Sequence, residues 1–479
     1  MNQYQTPLFD RLESHVRKKP ISFHVPGHKS GKVFPEGYNE PFKELLAYDL
    51  TELPYLDDLH QPEDAIFKAE QLAAHYYGVD RTFFLVNGST SGNLAMVLSV
   101  CKQGEKVLVQ RNSHKSIMHA LELSGAKPVF ITPEYDSEVS RYSYLNVQTV
   151  KQAIKQHPDV QAVILTYPDY YGTTYDLMSV IEEVHTYDLP VLVDEAHGAH
   201  FALGSPFPQS AIDCGADIVV HSAHKTLPAM TMGSYLHVQS SRVSLTQIKY
   251  YLQMVQSSSP SYPIMASLDL ARNYIATFTE EQKTRTLKQV EEVRSFFEQL
   301  ESLKVLPIRY GVDDPLKITI TSNTKDMGAW YHHLYHIGIH AEMVDNNQLL
   351  LIHGLGDNQD LILHLKQLIQ EESSIPFLKK DDKIDKSKWE NSSIQGLPYS
   401  YQGLSQLETE WVNWEQAIER VAAETITPYP PGIPVLLKGE RISEQVITLI
   451  KDSLHKDHYV QYSGMLERLK QGMVVYKEE

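Results

Sequence analysis

Between residues 62 and 240 short β-rich runs alternate with helical patterns, and this alternation constrains the chain more than any other feature. Apolar runs at 82–86 (TFFLV), 106–110, 128–131, 162–166, 191–194, 218–221 and 234–238 predict strands. Segments 62–77, 92–101, 113–124, 147–156 and 177–187 repeat apolar residues at helical spacing. In the first of these, Ile66, Ala69, Leu72, Ala73 and Tyr76 share one face, and Gly78 follows as a terminator. Parallel strands need crossovers of this kind, so the order of elements predicts a mostly parallel sheet flanked by helices. The strands are apolar on both faces, as burial between two helix layers requires.

Beyond about residue 270 the pattern changes. A charged helix at 280–303 precedes a strand at 316–321, a helix at 327–336, strands at 340–344 and 348–353, and a helix at 361–371. That order predicts a small α+β domain. Residues 379–388 (KKDDKIDKSK) contain Ile384 as their only apolar residue and predict an exposed linker. The expected division is a large α/β domain with an N-terminal arm over 1–270, a small domain over 271–375, a linker over 376–394 and a C-terminal module over 395–479. A chain of 479 residues exceeds what one core serves, which fits this division.

The net charge of −17 lacks the basic footprint that nucleic-acid binding needs, and it suits a cationic small molecule. No run approaches the roughly 18 apolar residues that cross a membrane. The N-terminal residues MNQYQTPLFDRLESHVRKKP lack the apolar core of a signal peptide. Cys101 and Cys214 lie in apolar surroundings away from metal-ligand spacing, as buried, reduced thiols do. A cytoplasmic protein with no nucleic-acid or membrane partner and no metal is expected.

Two strand ends carry the chemistry. Asp194 closes the run PVLVD, and the next strand, ADIVVH, runs into Ser222, Ala223, His224 and Lys225. Ligands of open parallel sheets bind beyond the carboxyl ends of strands, so a carboxylate and an amine face one crevice. Alone, Asp194 reads as a turn cap and Lys225 as a solvated lysine. As a pair they meet the needs of pyridoxal phosphate, an amine for a Schiff base and an acid beside the pyridine nitrogen. The third need is an anion site. The segment Asn87-Gly88-Ser89-Thr90-Ser91-Gly92-Asn93 lies between a strand and a helix, where free N–H groups and small hydroxyls can receive a phosphate. Plain helix capping is the other reading of these serines. The segment is neither a Walker loop nor G-x-G-x-x-G, which disfavours nucleoside triphosphates and dinucleotides.

The chain resembles the ornithine/lysine/arginine decarboxylases, fold type I pyridoxal-phosphate enzymes with an aspartate-aminotransferase-like α/β large domain, and in particular their shorter bacterial members. The resemblance rests on FHVPGHK (23–29), ELPYLDDLH (52–60), VNGSTSGN (86–93), QRNSHKS (110–116), VDEAHG (193–198), HSAHKTLPA (221–229), SSSPSYPIMASLD (257–269) and PYPPGIPVLLKGE (428–440).

This resemblance implies roles. Lys225 would carry the cofactor and Asp194 would face its ring nitrogen. Ser89, Thr90, Ser91, Ser222 and His224 would surround the phosphate, and His114 would stack on the ring. His197 would lie on the cofactor's side of the sheet, where longer members carry tryptophan. Ser257 and Ser258 would reach a partner subunit's phosphate, which implies a homodimer or tetramer with shared sites. The long members' N-terminal wing domain has no counterpart before PGHK, which disfavours large rings. The expected reaction is decarboxylation of a basic amino acid, arginine ahead of lysine and ornithine because the short members include arginine decarboxylases. Glu52, Asp57 and Asp58 are candidates for the substrate's cationic end or are solvated loop charges. A fold type I aminotransferase would carry an arginine for the substrate carboxylate late in the small domain, and 340–375 holds none. An aldolase and a cofactor-binding regulator without turnover are also open at this point. The regulator would need a basic DNA-binding module, and neither terminus shows one.

Overall fold

A computed structural model describes residues 1–478 apart from 38–39, 140, 346–347, 357–359, 369–392, 429–432, 456–459 and 463–465. The expected linker at 376–394 therefore lies almost wholly outside the described residues, as does the start of the PYPPG run.

Helices α1 (Pro7–Lys18), α2 (Glu40–Leu45) and α3 (Ala65–Tyr77) precede β1 (Arg81–Leu85). Next come α4 (Gly88–Val100), β2 (Lys106–Gln110), α5 (Lys115–Ser124), β3 (Lys127–Ile131), β4 (Glu134–Asp136), β5 (Arg141–Tyr144), α6 (Val147–Gln156), β6 (Val160–Thr166), α7 (Leu177–His185) and β7 (Val191–Asp194). β8 (Ile218–His221), the single turn α8 (Ala223–Thr226), β9 (Ser234–Val238), α9 (Leu245–Val255) and α10 (Tyr262–Ala276) follow. A further run consists of α11 (Glu280–Glu298), β10 (Lys304–Val305), β11 (Lys317–Thr321), α12 (Met327–His336), β12 (Met343–Asp345), β13 (Gln348–Ile352) and α13 (Leu361–Leu368). The last elements are β14 (Ile394–Gly396), α14 (Tyr401–Leu404), β15 (Thr409–Asn413), α15 (Trp414–Ala417), β16 (Thr427–Pro428), α16 (Glu444–His455), β17 (Val460–Gln461), α17 (Leu466–Leu469) and β18 (Gly472–Tyr476).

The large sheet has the strand order β1-β9-β8-β7-β6-β2-β3-β14. β2 pairs in parallel with β3 and β6, as the alternation predicts. β9 runs antiparallel to both β1 and β8, so the sheet is mixed. The reason is local: residues 222–233 between β8 and β9 hold only the single turn α8 and no helix long enough to cross the sheet face, and the chain folds back.

Two compact units emerge from the contacts. One combines Met1–Met96, Tyr167–Thr174 and the chain from Val193 to α13; the other combines Val97–Thr166, Tyr175–Leu192 and the elements from β14 onward. In the first unit, α1, α3 and α10 pack on one another. The first N–H groups of α1 have no capping side chain at Thr6; Leu8 N and Phe9 N donate instead to Asp269 Oδ2 at 3.0 and 3.3 Å. Arg272 completes this anchor by donating to Asp269, Gln3 O and Gln5 O. Asp57 caps α3: its two oxygens accept from the backbone N–H of Asp58, Glu63, Asp64, Ile66 and Phe67 at 2.8–3.3 Å. A carboxylate so engaged is a structural cap and not a loop charge waiting for substrate. Asp58 likewise accepts from His60 N, and Glu52 from the Thr51 hydroxyl. The same unit holds the antiparallel sheet β10-β11-β13-β12, with Phe297 of α11 and Trp330 of α12 fully buried.

In the second unit, β15 pairs with β18 and β16 with β17, and Trp414, Leu436, Ile442, Ile450, Met473 and Val475 form an apolar cluster. Arg111, just beyond β2, reaches the same region: Nε and Nη2 donate to the two oxygens of Glu440 at 2.7 Å each, and Nη1 to Pro434 O at 2.9 Å. No helix among the described residues is long and apolar enough to cross a membrane.

Candidate active site

Within the first unit, the ends of β7 and β8 bring Asp194 and Lys225 to one side. Asp194 is 4% exposed and doubly held: Oδ2 accepts from Asn93 Nδ2 at 2.8 Å and Oδ1 from Ala196 N at 3.2 Å. Burial raises its pKa, while the charge of Lys225 and these hydrogen bonds pull it back down. Lys225 sits in α8, its N–H donating to Ser222 O at 3.1 Å. Burial lowers the pKa of its amine, against the opposing pull of Asp194 and Glu342. Asp194 thus acts on the half-buried Lys225 amine through its charge, while the hydrogen-bond partner of Lys225 Nζ is His197 Nε2 at 3.0 Å.

The helix start beside them departs from expectation in a useful way. Residues 87–91 do not form a free turn; α4 begins at Gly88, so Ser89, Thr90 and Ser91 occupy its first turn, where N–H groups lack helical partners. Gly88 takes the bend at φ 75°, and its N–H donates to Met232 O. Gly92 lets the helix press on the sheet: a Cβ there would meet Leu85 Cδ1 at 2.7 Å and Val220 Cγ1 at 2.9 Å. Ser222 Oγ donates to Ser89 Oγ at 2.8 Å, joining the two loops. Ser91 Oγ donates to Gly88 O, and Thr90 is exposed. His224 has Nδ1 3.0 Å from Gly233 O, so that nitrogen carries the proton and Nε2 is left as the acceptor. Burial first, and Lys225 after it, lower the His224 pKa, while the bond to Gly233 opposes them.

His197 is the hub of the site. Its Nε2 lies 3.0 Å from Lys225 Nζ and its Nδ1 3.0 Å from Lys317 Nζ. The Tyr170 ring meets His197 edge-on at 4.6 Å, and its hydroxyl donates to Glu342 at 2.6 Å. Behind these residues Glu195 accepts from His221 Nε2 at 2.7 Å and from Ser210 Oγ at 2.8 Å; His221 Nδ1 meets His237 Nε2 at 3.1 Å.

Three further residues take their places separately. Ser258 is exposed in the loop before α10; Ser257 offers its carbonyl to His60 Nε2 at 2.9 Å. His114 belongs to the second unit, where its Nδ1 accepts from Ser116 N at 3.2 Å and caps α5. Sequence reasoning missed Lys317, Tyr170, Glu342 and the role of Asn93. Asn93 stood inside a segment already singled out; Lys317 gave no signal beyond a charge at the head of an apolar strand.

The residues fit pyridoxal phosphate: an amine whose burial favours its neutral form, a buried carboxylate for a ring nitrogen, and a helix start with bridged hydroxyls for a phosphate. A family model described as Orn/Lys/Arg decarboxylase, major domain, matches residues 6–312, and that family's C-terminal domain matches 396–458. The chain is 44% identical to the Bacillus subtilis protein YaaO over 99% of both chains. It is 36% identical to an arginine decarboxylase of Bacillus anthracis, over 100% of this chain and 98% of that one. Among solved structures, the constitutive lysine decarboxylase of Escherichia coli superposes with a TM-score of 0.81 at 18% identity, over 99% of this chain and 82% of that one, which shows the shared fold. With family models covering both the sheet domain and the C-terminal module, the chain belongs to the Orn/Lys/Arg decarboxylase family.

Proposed function

We propose that this decarboxylase uses pyridoxal phosphate, held by Lys225, to remove the carboxylate of a basic amino acid, arginine in the first place. The observation that carries the reading is the placement of Lys225 and buried Asp194 beyond the adjacent strands β8 and β7, the carboxylate acting on the amine through its charge, beside the first turn of α4. Arginine is favoured by relatives at 34–36% identity named arginine decarboxylases; more distant ones are lysine decarboxylases.

Bound here, the cofactor supplies a carbonyl for an amine and a ring that accepts the electrons left by departing CO₂. Lys225, kept toward its neutral form by burial, presents a nucleophilic amine. Asp194, fixed by Asn93 and Ala196 N, holds a negative charge where a ring nitrogen must stay protonated. Ser89 and Ser222 orient hydroxyls at the α4 N-terminus, whose N–H groups and dipole favour the phosphate dianion. His224 offers Nε2 as an acceptor on the same turn as Lys225. His114 would stack against the ring. Ser257 and Ser258 would serve a partner subunit's site in a homodimer, and the protein would work in the cytoplasm.

A screen of CO₂ release over the twenty amino acids, with pyridoxal phosphate added, tests this directly. Release from arginine above all others is expected. Activity confined to neutral or acidic amino acids, or none at all, overturns the reading.

A further inference from the structure

Lys317 opens β11 and is only 4% exposed, an unusual place for a lysine without a dedicated use. The fold makes room for it. Gly172 (φ 87°) comes so close that a Cβ there would meet Lys317 Cγ at 2.6 Å and Asp314 Cβ at 2.8 Å. The Tyr170 ring centroid lies 5.7 Å from Lys317 Nζ and 5.9 Å from Lys225 Nζ, so one aromatic ring attends both amines. Between them stands His197, each ring nitrogen 3.0 Å from one lysine.

Proton counting restricts what this row can hold. A neutral imidazole has one N–H and one lone pair. Its lone pair can accept from an ammonium, but its N–H needs a lone pair opposite, and an ammonium has none. The row Lys225–His197–Lys317 therefore satisfies both contacts as long as it carries no more than a single positive charge. If both lysines were charged, one contact would set two hydrogens against each other across a buried gap.

We infer that Lys317 is the charge partner of Lys225: through His197 the two amines share one positive charge, and whenever Lys317 carries it Lys225 is left neutral and nucleophilic. The step balances. The Lys225 ammonium gives a proton to His197 Nε2, and Nδ1 gives its proton to the Lys317 amine. Lys225 is then neutral, Lys317 is charged, and the imidazole has changed tautomer without changing charge. Lys317 is thus a positioning residue for charge, working through its neighbour.

The surroundings suit a proton that moves. Asp314 and Asp169 face Lys317 from the loops before β11 and after β6, Glu342 from beside β12, and Asp194 faces Lys225 from β7. Several of these carboxylates have other partners: Asp314 meets His200 Nε2 at 3.0 Å and Asp169 accepts from Thr173 N at 2.8 Å. Burial brings Lys317 down to about 8, with the charge of Lys225 adding to the fall and Asp314, Glu342 and Asp169 opposing it; burial lowers Lys225 as well, so the two amines do not both keep a proton as the pH rises past neutrality.

The inference rests on the proposed role of Lys225, but its test needs neither cofactor nor substrate. The full-length chain, freed of cofactor, is labelled with limiting acetic anhydride across the neutral-to-alkaline range, and the peptide bearing Lys225 is followed by mass spectrometry. Lys317→Met should move the Lys225 labelling midpoint upward by about one pH unit, roughly a tenfold loss of labelling near neutrality. Lys317→Gln should do the same, and Lys317→Arg, which keeps the charge, should hold the midpoint low. A purely structural lysine would change thermal stability in all three variants and leave the midpoint alone. An unmoved midpoint in a folded Met or Gln variant, or the same shift with arginine, overturns the inference. The CO₂ screen is independent: decarboxylation with an unmoved midpoint rejects only the relay, whereas a moved midpoint without decarboxylation rejects only the proposed reaction.

Discussion

The interior around β7 and β8 and the interior of the C-terminal module are built on opposite plans. In the first, Asp194, Glu195, His197, His200, His221, His237 and Lys317 are all less than a tenth exposed, yet all can ionise. In the second, the cluster around Trp414, Ile442, Ile450 and Met473 is apolar, and charge enters the region as the matched pair Arg111–Glu440. Burying an ionisable group costs free energy unless each polar atom finds a partner, so the first plan is expensive as a way of making a stable core. The second is the ordinary way. If the first interior serves chemistry and the second stability, substitutions should separate the two.

The largest effect belongs to Lys225→Ala, expected to reduce turnover to background with a thermal midpoint close to the parent's. Borohydride treatment in the presence of pyridoxal phosphate should label the Lys225 peptide in the parent and no lysine in the variant. Label on another lysine would break the comparison at its centre. Next is Glu440→Gln, which leaves Arg111 buried without its carboxylate. A loss of about 3–5 kcal/mol in unfolding free energy is expected, and denaturant titration measures it. Asp194→Asn should retain cofactor and lower turnover roughly a hundred- to thousandfold; near-parental turnover would make Asp194 a strand-end cap.

Ser89→Ala with Thr90→Ala should weaken cofactor retention about a hundredfold, since two hydrogen bonds to a charged group are lost at roughly 1.5 kcal/mol each. Equilibrium dialysis reads this, and unchanged affinity returns the serines to plain helix capping. The smallest effect is Ile450→Val in the apolar cluster, a loss of about 1 kcal/mol with kcat unchanged. A change in kcat there would mean that the two plans are not separate.

The legible part of the molecule was the part whose signals are local. Asp194 and Lys225 stand at the ends of apolar runs, and the strands β7 and β8 end where those runs end, which is what made the two residues candidates. The helix α3 showed in the spacing of Ile66, Ala69 and Leu72, all of which are buried. The direction of β9 was not legible, because strand propensity carries no sign of orientation and the return depends on how little chain α8 uses. Nor was the fate of Asp57, whose loop charge looks the same in sequence whether water or five N–H groups surround it. Lys317 was the hardest to see. Its partner His197 lies far away in the chain, and only the close approach of Gly172 reveals that the fold has reserved a place for a lysine there.

The carboxylate that caps α1 carries a consequence for how the protein is made. Asp269 lies 261 residues after Leu8, whose N–H it receives. At synthesis rates of about 5–20 residues per second, the cap is translated roughly ten to fifty seconds after the helix it finishes. Until then the first turn of α1 keeps its N–H groups in water, and the faces that α1 and α3 will turn toward α10 have nothing to cover them. A ribosome stalled before Asp269 should hold a chain whose N-terminal segment is cut readily by protease, and one stalled well beyond Arg272 should hold it protected. The first helix to leave the ribosome is thus among the later ones to become secure.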